Sequence, residues 1–252
     1  ERFLNMMDDL QERWKTKGIR PSLSIYNVQH EVTPSFGELK VALECMHPGV
    51  EIRYTTDGSE PHRYSLLYRK PWMVKQSQTI KCATFKEGKQ TGKTLVLPIV
   101  FNGVTGKNVL RSNAVERRLV NGVRGSLKDT DGEWASWTKN DSVALTFDMA
   151  TRKKLGRVSL GCLNDFGLAI HQPKIVEIWL SDNNVHYWKA VESEFGEKSV
   201  FREGRFVENL NFEFEDVGRY VRIILRGPGR CPQVHVRPGM EAQMRLDEVL
   251  IE

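Results

Sequence analysis

The amino-acid sequence predicts a mainly-β protein in which one α-helix precedes two β-sandwich domains. Hydrophobic residues recur with a period of two through most of the chain, as expected for half-buried strands. Glycine, proline, asparagine and aspartate separate these runs at turn-like intervals. The 252 residues, of which 40% are hydrophobic and 27% are charged, are enough for about two domains with buried cores. This composition excludes a disordered, collagen-like or coiled-coil chain.

Residues 1–21 contain one predicted amphipathic helix. Apolar residues recur there at spacings of three and four, at Phe3, Met7, Leu10 and Trp14. Gly18 and Pro21 supply the signals that end a helix. Because a lone helix of this length does not keep its apolar stripe in water, it must dock. It packs either on the next domain or on a larger domain that is absent here.

The next two segments have the pattern of β-sandwiches. Short strand-like runs occupy residues 41–45, 52–56, 79–85 and 94–100. Beyond a turn-rich connector at 102–108, further runs occupy residues 143–149, 156–163, 175–180, 219–225 and 244–251. The loops of the second domain exceed hairpin length, and long loops on a rigid sandwich commonly carry binding sites.

Charge and hydropathy exclude two classes of partner. The chain has 37 Lys and Arg residues against 32 Asp and Glu residues, a net charge of +5, and the cations are spread along it. Nucleic-acid binding would need a basic stripe or a recognisable motif. No apolar run approaches the ~20 residues of a membrane-spanning helix. We therefore expect neither a nucleic-acid partner nor a membrane span, and any targeting signal should lie outside this chain.

The four cysteines predict neither zinc nor a disulfide framework. Cys45, Cys82, Cys162 and Cys231 form no CxxC or CxxH pair, the tight spacing that structural zinc sites commonly use. Cys45 and Cys82 lie in strand-like runs and could bridge two sheets. Buried thiols that pack as small hydrophobic side chains are the favoured alternative.

The first sandwich resembles a known family. Its motifs are VEIRYTTDGSEP at 50–61, SLLY at 65–68 and TIKCA at 79–83. They resemble the fibronectin- or immunoglobulin-like C-terminal domain of chitobiases and β-N-acetylhexosaminidases. The resemblance implies an immunoglobulin-like sandwich over residues 22–108 that acts as a spacer without catalytic residues.

The second sandwich resembles a discoidin domain, also called a coagulation-factor 5/8 type C domain, of the kind found in family 32 carbohydrate-binding modules. The matching motifs run in order: LVNGVRGS at 119–126, DGEW at 131–134, LTFD at 145–148, LND at 163–165, PKIVE at 173–177, LSDN at 180–183, CP at 231–232 and LDEV at 246–249. The resemblance implies a jelly-roll sandwich over residues 109–252. Asn121 departs from the usual Asp, and Asp148-Met149 departs from the usual Asp-Leu-Gly.

Together the two resemblances imply a parent enzyme. The helix over residues 1–21 is similar in position to the last helix of a glycoside hydrolase family 20 barrel. The chain would then be the non-catalytic C-terminal region of a secreted or periplasmic bacterial β-N-acetylhexosaminidase acting in carbohydrate metabolism. Asp247-Glu248 has the composition of the paired carboxylates in that family. It lies in a predicted strand, where neighbouring side chains point to opposite faces, so we interpret it as structural.

Candidate glycan ligands lie in the long loops of the second sandwich. Sugar sites combine an aromatic face with a few polar groups. The polar candidates are Asp165, His171, Arg226, Arg230 and His235. The aromatic candidates are Trp134, Trp137, Phe166 and Trp188, although core packing is the favoured interpretation for the three tryptophans. The resemblance implies glycans that contain amino sugars or galactose.

The resemblance also implies a structural calcium ion. Matching positions are Asn121, Asp129 and Asp131 in the loop before the first long strand, and Glu248 near the C-terminus. Calcium accepts several oxygen ligands, including the backbone carbonyls of a glycine-rich turn. In the alternative interpretation Glu248 forms an ion pair with Arg118 or Arg124.

Two other functions remain open from the sequence. The second sandwich could brace the catalytic barrel without binding glycan, which buried or self-filled sugar loops would favour. It could also be an adhesion module for protein or lipid surfaces, which hydrophobic loop tips would favour.

Overall fold

The computed structural model describes residues 23–107, 109–110, 116–138 and 142–252. The helix that the sequence predicts over residues 1–21 lies outside them. Within the described residues the chain is built from β-strands with short 3-10 turns and one short α-helix, α1 (Glu197–Val200). The predicted mainly-β fold class is confirmed. None of the helices in this described part has the length and apolar character that crossing a membrane requires.

The described residues divide into two compact units. The first contains the described part of Glu1–Glu31 with Val41–Trp72 and Gln78–Pro98; the second contains Val32–Lys40, Met73–Ser77 and Ile99–Glu252.

The first eight strands build two small sheets. They are β1 (Val28–Ser35), β2 (Glu38–Cys45), β3 (Glu51–Thr55), β4 (Leu66–Leu67), β5 (Trp72–Val74), β6 (Gln78–Lys86), β7 (Lys89–Gln90) and β8 (Leu95–Ile99). One sheet has the order β1-β2-β5, and the other has the order β4-β3-β6-β7 with β8 beside β6. Strand β2 shows why the sequence pattern works: Val41 and Leu43 are buried while Lys40 and Glu44 are exposed.

The remaining strands form one seven-stranded sheet in the second unit. They are β9 (Val109–Leu110), β10 (Ala135–Trp137), β11 (Val143–Asp165), β12 (Ile175–Ser181), β13 (Trp188–Glu194), β14 (Arg205–Arg226) and β15 (Met244–Ile251). Their order is β10-β15-β11-β14-β12-β13, with β9 beside β11. The pairings are antiparallel.

Strands β11 and β14 are unusually long because bulges bend them without ending them. Their pairing shifts register twice, at residues 148–153 and 155–157. Ala150 lies within the first shift and has a positive φ of 69°. The runs that the sequence predicts at 143–149 and 156–163 are therefore two parts of one bent strand.

A continuous apolar core fills the second unit, with Phe147, Leu160, Ile178, Ile223 and Val249 among its fully buried members. Trp134 is 2% exposed and packs with Leu163 and Ile170. Trp137 packs against the main core. The expectation that these two tryptophans belong to the core is confirmed. All four cysteines are free thiols, and Cys82, Cys162 and Cys231 are buried.

Candidate functional site

Two segments of the second unit meet where the sequence predicts sugar ligands. The first follows β11, and the second is residues 227–243, between β14 and β15. The His171 N–H donates to the Gln243 carbonyl at 2.8 Å, and the Gln243 N–H donates to the Ala169 carbonyl at 2.8 Å. These bonds bring His171 beside His235.

The two histidines form a hydrogen-bonded pair with defined tautomers. Their Nε2 atoms lie 3.1 Å apart. His235 Nδ1 accepts the Arg237 N–H at 2.9 Å, so the ring proton of His235 is on Nε2 and points at His171. The Asn164 amide nitrogen donates to two backbone carbonyls, so its Oδ1 faces His171 Nδ1 at 2.9 Å as an acceptor. His171 therefore carries its proton on Nδ1 and accepts through Nε2.

Both rings are neutral and closed to solvent. His171 is 0% exposed and His235 is 3% exposed. Burial, with the neighbouring His235, lowers the pKa of His171 to about 4. Burial, with the Arg237 charge, also lowers the pKa of His235. Phe166 and Phe201 pack on the pair, with the Phe166 ring centroid 4.0 Å from that of His235. These histidines fill their own loops and present no surface to a glycan.

Asp165 is likewise used by the protein itself. It caps the short turn Phe166–Leu168, since its Oδ1 accepts the Leu168 N–H at 3.0 Å. Its other oxygen lies 2.9 Å from Arg205 Nε. The side chain is thus a local structural anchor.

The two predicted arginines are exposed. Arg226 Nη2 lies 3.1 Å from Glu177 Oε1, and Arg230 Nη2 lies 3.5 Å from Glu241 Oε1. Their side chains are 57% and 70% exposed. Of the five predicted polar residues, these two are accessible to a ligand.

The predicted calcium residues are each engaged by other groups. Asp129 Oδ2 lies 2.9 Å from Arg245 Nη1. Asp131 Oδ2 accepts the Ser126 N–H at 2.6 Å. Asp129, Asp131 and Glu248 do not form a three-carboxylate cluster among the residues that the structure describes. Asp129 and Asp131 are thus each bound by groups of the protein itself.

Glu248 lies in β15, and Asn121 follows the 3-10 turn Glu116–Val120. Asn121 donates to Glu133 at 2.7 Å. Glu248 is 1% exposed, and its carboxylate accepts the Gly122 N–H at 3.0 Å and the Asn102 amide at 3.4 Å. Burial raises the pKa of Glu248 well above its ordinary value. A buried carboxylate held by uncharged donors would gain from a cation, so Glu248 fits a calcium ligand.

One cluster of side chains in the described residues has the proximity of metal ligands. A ring nitrogen of His171, a ring nitrogen of His235 and the Cys231 sulfur all lie within 4.8 Å of one another. The sequence indicates part of this cluster, since Cys231 and His235 are only four residues apart. A search for CxxC or CxxH misses that spacing, and His171 joins only through the fold.

A cleft of about 420 Å³ lies on the bulged part of β11 and β14. It is lined by Lys154, Leu155, Gly156, Glu215, Asp216 and Val217. Trp188 borders it, since its indole Nε1 donates to Asp216 Oδ2 at 2.7 Å. Trp188 is 37% exposed. Trp188 is therefore a predicted aromatic candidate that stands beside a concave surface with both polar and apolar groups. The carboxylates were missed because this half of β14 was not predicted as a strand.

Three solved structures are similar to part of this chain. One similar solved structure is the family 32 carbohydrate-binding module of Streptococcus pneumoniae EndoD, which is 11% identical, covers 60% of this chain and 99% of its own, and has a TM-score of 0.41. The C-terminal domain of a chitobiase from Bacteroides fragilis is 13% identical, with 54% and 77% covered and a TM-score of 0.31. A Clostridium perfringens family 32 module in complex with GalNAc-β-1,3-galactose is 10% identical, with 45% and 67% covered and a TM-score of 0.31.

No curated protein matches the chain significantly. A family model does match part of it. Residues 35–96 match the family described as the chitobiase/beta-hexosaminidase C-terminal domain. The segment that carries the VEIRYTTDGSEP motif is thus related to that domain family.

Proposed function

We propose that this chain is a non-catalytic, glycan-binding accessory region of a secreted bacterial β-N-acetylhexosaminidase. The observation that carries the proposal is the match of residues 35–96 to the C-terminal domain of that enzyme class. Catalysis would belong to a barrel elsewhere in the parent protein. The second unit would keep that enzyme near amino-sugar- or galactose-containing glycans.

The cleft beside Trp188 is the surface best suited to a glycan. An aromatic face contacts the C–H groups of a sugar, while nearby polar groups bond its hydroxyls. Trp188 supplies the aromatic group, and its bond to Asp216 fixes the orientation of the indole. Glu215 and Lys154 supply an acceptor and a donor within the same cleft. The His171 and His235 rings, which are 0% and 3% exposed, are closed to a ligand.

Binding at this cleft is tested by titration. NMR titration of the full chain with N-acetylglucosamine oligomers and with galactosides should give dissociation constants between about 1 mM and tens of μM, roughly −4 to −6 kcal/mol. Trp188→Ala should weaken binding at least about tenfold. Arg226→Ala with Arg230→Ala is the matched control, because it removes the accessible residues of the loop site.

Each outcome separates the alternatives. Lost binding in Trp188→Ala with intact binding in the arginine variant supports the cleft. The reverse pattern places the glycan at the sequence-predicted loop. No chemical-shift change with any glycan would refute glycan binding by this chain.

A structural brace is the second candidate. The burial of His171 and His235, whose loops are filled by their own side chains, favours it. In that case, deleting residues 109–252 from the parent enzyme should lower the unfolding temperature of its barrel without changing affinity for glycan surfaces. An unchanged unfolding temperature would exclude the brace.

A further inference from the structure

The His171–His235 pair has a third neighbour that neither packing nor glycan binding requires. Cys231 lies on the same 227–243 segment as His235, and its sulfur shares their immediate surroundings. All three side chains are at most 3% exposed. Two imidazoles and one thiol are ligands that soft and borderline transition metals prefer, whereas calcium and magnesium prefer oxygen.

We propose that His171, Cys231 and His235 form a binding site for a transition metal ion, with zinc as the occupant. The inference is independent of the proposed glycan function, since it concerns the interior of the second unit and not its surface.

The spacing of the nitrogens is already close to what zinc requires. Two nitrogens bound to zinc at about 2.0–2.1 Å with a tetrahedral angle lie about 3.4 Å apart. The two Nε2 atoms lie 3.1 Å apart, so a few tenths of an ångström separate them from that geometry. A zinc-bound sulfur lies about 3.6 Å from each nitrogen. The three ligand atoms now lie within 4.8 Å of one another, so the sulfur and the nitrogens have to approach by at most about 1.2 Å.

Asn164 fixes the tautomer that His171 needs as a metal ligand. Its amide nitrogen is committed to two backbone carbonyls, which fixes its oxygen toward His171 Nδ1. That bond holds the ring proton on Nδ1, so Nε2, which now accepts the His235 N–H, carries the lone pair that a metal would bind. An outer hydrogen bond of this kind is usual for metal-binding histidines.

Metal binding would replace the hydrogen bond between the Nε2 atoms of His171 and His235. The Nε2 proton of His235 would move to its Nδ1, and the Arg237 N–H, which now donates to that atom, would turn to solvent at the exposed part of the segment. The Cys231 thiol would lose its proton to the buffer. One proton is then released for each zinc ion bound.

The site would act as a clamp. The metal would tie the 227–243 segment to His171. The apolar neighbours Phe166 and Phe201 would shield the metal–sulfur bond from water. Three protein ligands leave a fourth position for water. Because all three ligands are buried, a polysaccharide does not reach the metal, and the role is to stabilise the segment.

Cobalt is the first probe, because a thiolate-bound Co²⁺ ion absorbs in the near ultraviolet. The reduced, chelator-treated full chain should bind one equivalent and show this charge-transfer band. Cys231→Ser should abolish the band. His235→Asn, which keeps an acceptor for the Arg237 N–H but removes Nε2, should weaken cobalt binding at least tenfold.

Matched controls separate the site from adventitious binding. Cys82→Ser removes a buried thiol of the first unit, and His186→Gln removes an exposed histidine of the second. Both should keep the band and the one-to-one stoichiometry. Zinc should raise the unfolding temperature of the wild type and of both controls, but not that of Cys231→Ser.

A reduced wild-type chain without a charge-transfer band, or a band that persists in Cys231→Ser, would overturn the proposal. Circular dichroism establishes whether each variant is folded. Should Cys231→Ser fail to fold, X-ray absorption of the zinc-loaded wild type decides: one sulfur and two nitrogen ligands support the site, and an all-oxygen shell refutes it.

Discussion

Arg124 and Asp247 join the loop before β10 to the last strand: Arg124 Nε lies 3.2 Å from Asp247 Oδ2. The carboxylate is fully buried, while the arginine side chain is 31% exposed. The Gly125 N–H also donates to Asp247 Oδ2, at 2.9 Å. The Asp247 side chain therefore anchors Arg124 and Gly125 to β15, beside the Glu248 side chain that accepts the Gly122 N–H.

Asp247→Ala should lower the free energy of unfolding by about 2–3 kcal/mol. Removing one partner of a fully buried pair typically costs about 3–5 kcal/mol. The loss here is smaller because Arg124 is partly solvated, although the Gly125 N–H also loses its acceptor. Urea unfolding measures the change. Asp182→Ala removes the acid of an exposed pair with Arg152 and should change stability by less than about 0.5 kcal/mol. Equal losses in both variants would contradict the proposed anchoring role.

Gly161→Ala should be severely destabilising. A methyl group at Gly161 would lie 1.8 Å from Asp247 Oδ1 and 2.6 Å from Arg124 Nη2, so the ion pair would have to move. Overpacking of this kind costs about 1–3 kcal/mol or more. Gly196→Ala is the control, since no atom lies within 4 Å of its added methyl group. Thermal unfolding of both variants checks the prediction, and a stable Gly161→Ala protein would contradict it.

The strands were the most predictable part of this protein. The predicted run 244–251 coincides with β15, and the runs 41–45 and 175–180 lie within β2 and β12. Their side chains follow the burial alternation or continuous burial that defines a strand. The first half of β14 was not predicted, although Leu210, Phe212 and Phe214 alternate there with exposed polar residues in the period of a strand.

The site was less predictable than the strands. The sequence singled out His171 and His235, but only the fold shows that they face each other and are buried. Cys231 joins them through the closure of the 227–243 segment, which no local pattern encodes. Long-range contacts of this kind depend on loop geometry and not on periodicity.

The pairing of Asp148 with Arg219 predicts a pH dependence. Arg219 donates to both carboxylate oxygens at 2.9 Å, which lowers the pKa of Asp148 below its ordinary value. The stabilisation is thus complete above the unfolded-state pKa of about 3.9 and is lost as pH falls through the lower folded-state value. Asp148→Asn should cost about 0.5–1 kcal/mol at pH 7, since the pair is partly exposed. The difference from wild type should shrink below about pH 4. A difference that stays constant to the lowest pH would contradict this assignment.

The isolated chain should not hydrolyse glycosides. The Asp247-Glu248 dipeptide that has the composition of a catalytic pair is 0% and 1% exposed, and both side chains are bonded to the 122–125 segment. A substrate therefore does not reach them. Incubation with para-nitrophenyl N-acetyl-β-glucosaminide should release no nitrophenol above a buffer blank, whereas an active β-hexosaminidase serves as the positive control. Release that disappears in Glu248→Gln would contradict this prediction.

The calcium ion predicted from the resemblance depends on Glu248 more than on the two aspartates. Glu248 is buried and held by the uncharged Gly122 N–H and Asn102 amide. Arg124, one of the cations that could have neutralised it, forms its ion pair with Asp247 instead. The remaining oxygen ligands would come from backbone carbonyls of residues 121–126.

We expect millimolar calcium to raise the unfolding temperature of the chain relative to EDTA. An ion at about a hundred times its dissociation constant adds about 2.7 kcal/mol to stability. Glu248→Gln keeps an acceptor for the Gly122 N–H but removes the charge, so it should abolish the shift. Asp129→Asn should retain the shift, because that carboxylate is paired with Arg245. The unfolding temperature with magnesium at the same concentration is the control for ionic strength. An unfolding temperature that does not move with calcium in the wild type would refute the site, since a bound ion that does not stabilise the native state contributes nothing to the fold.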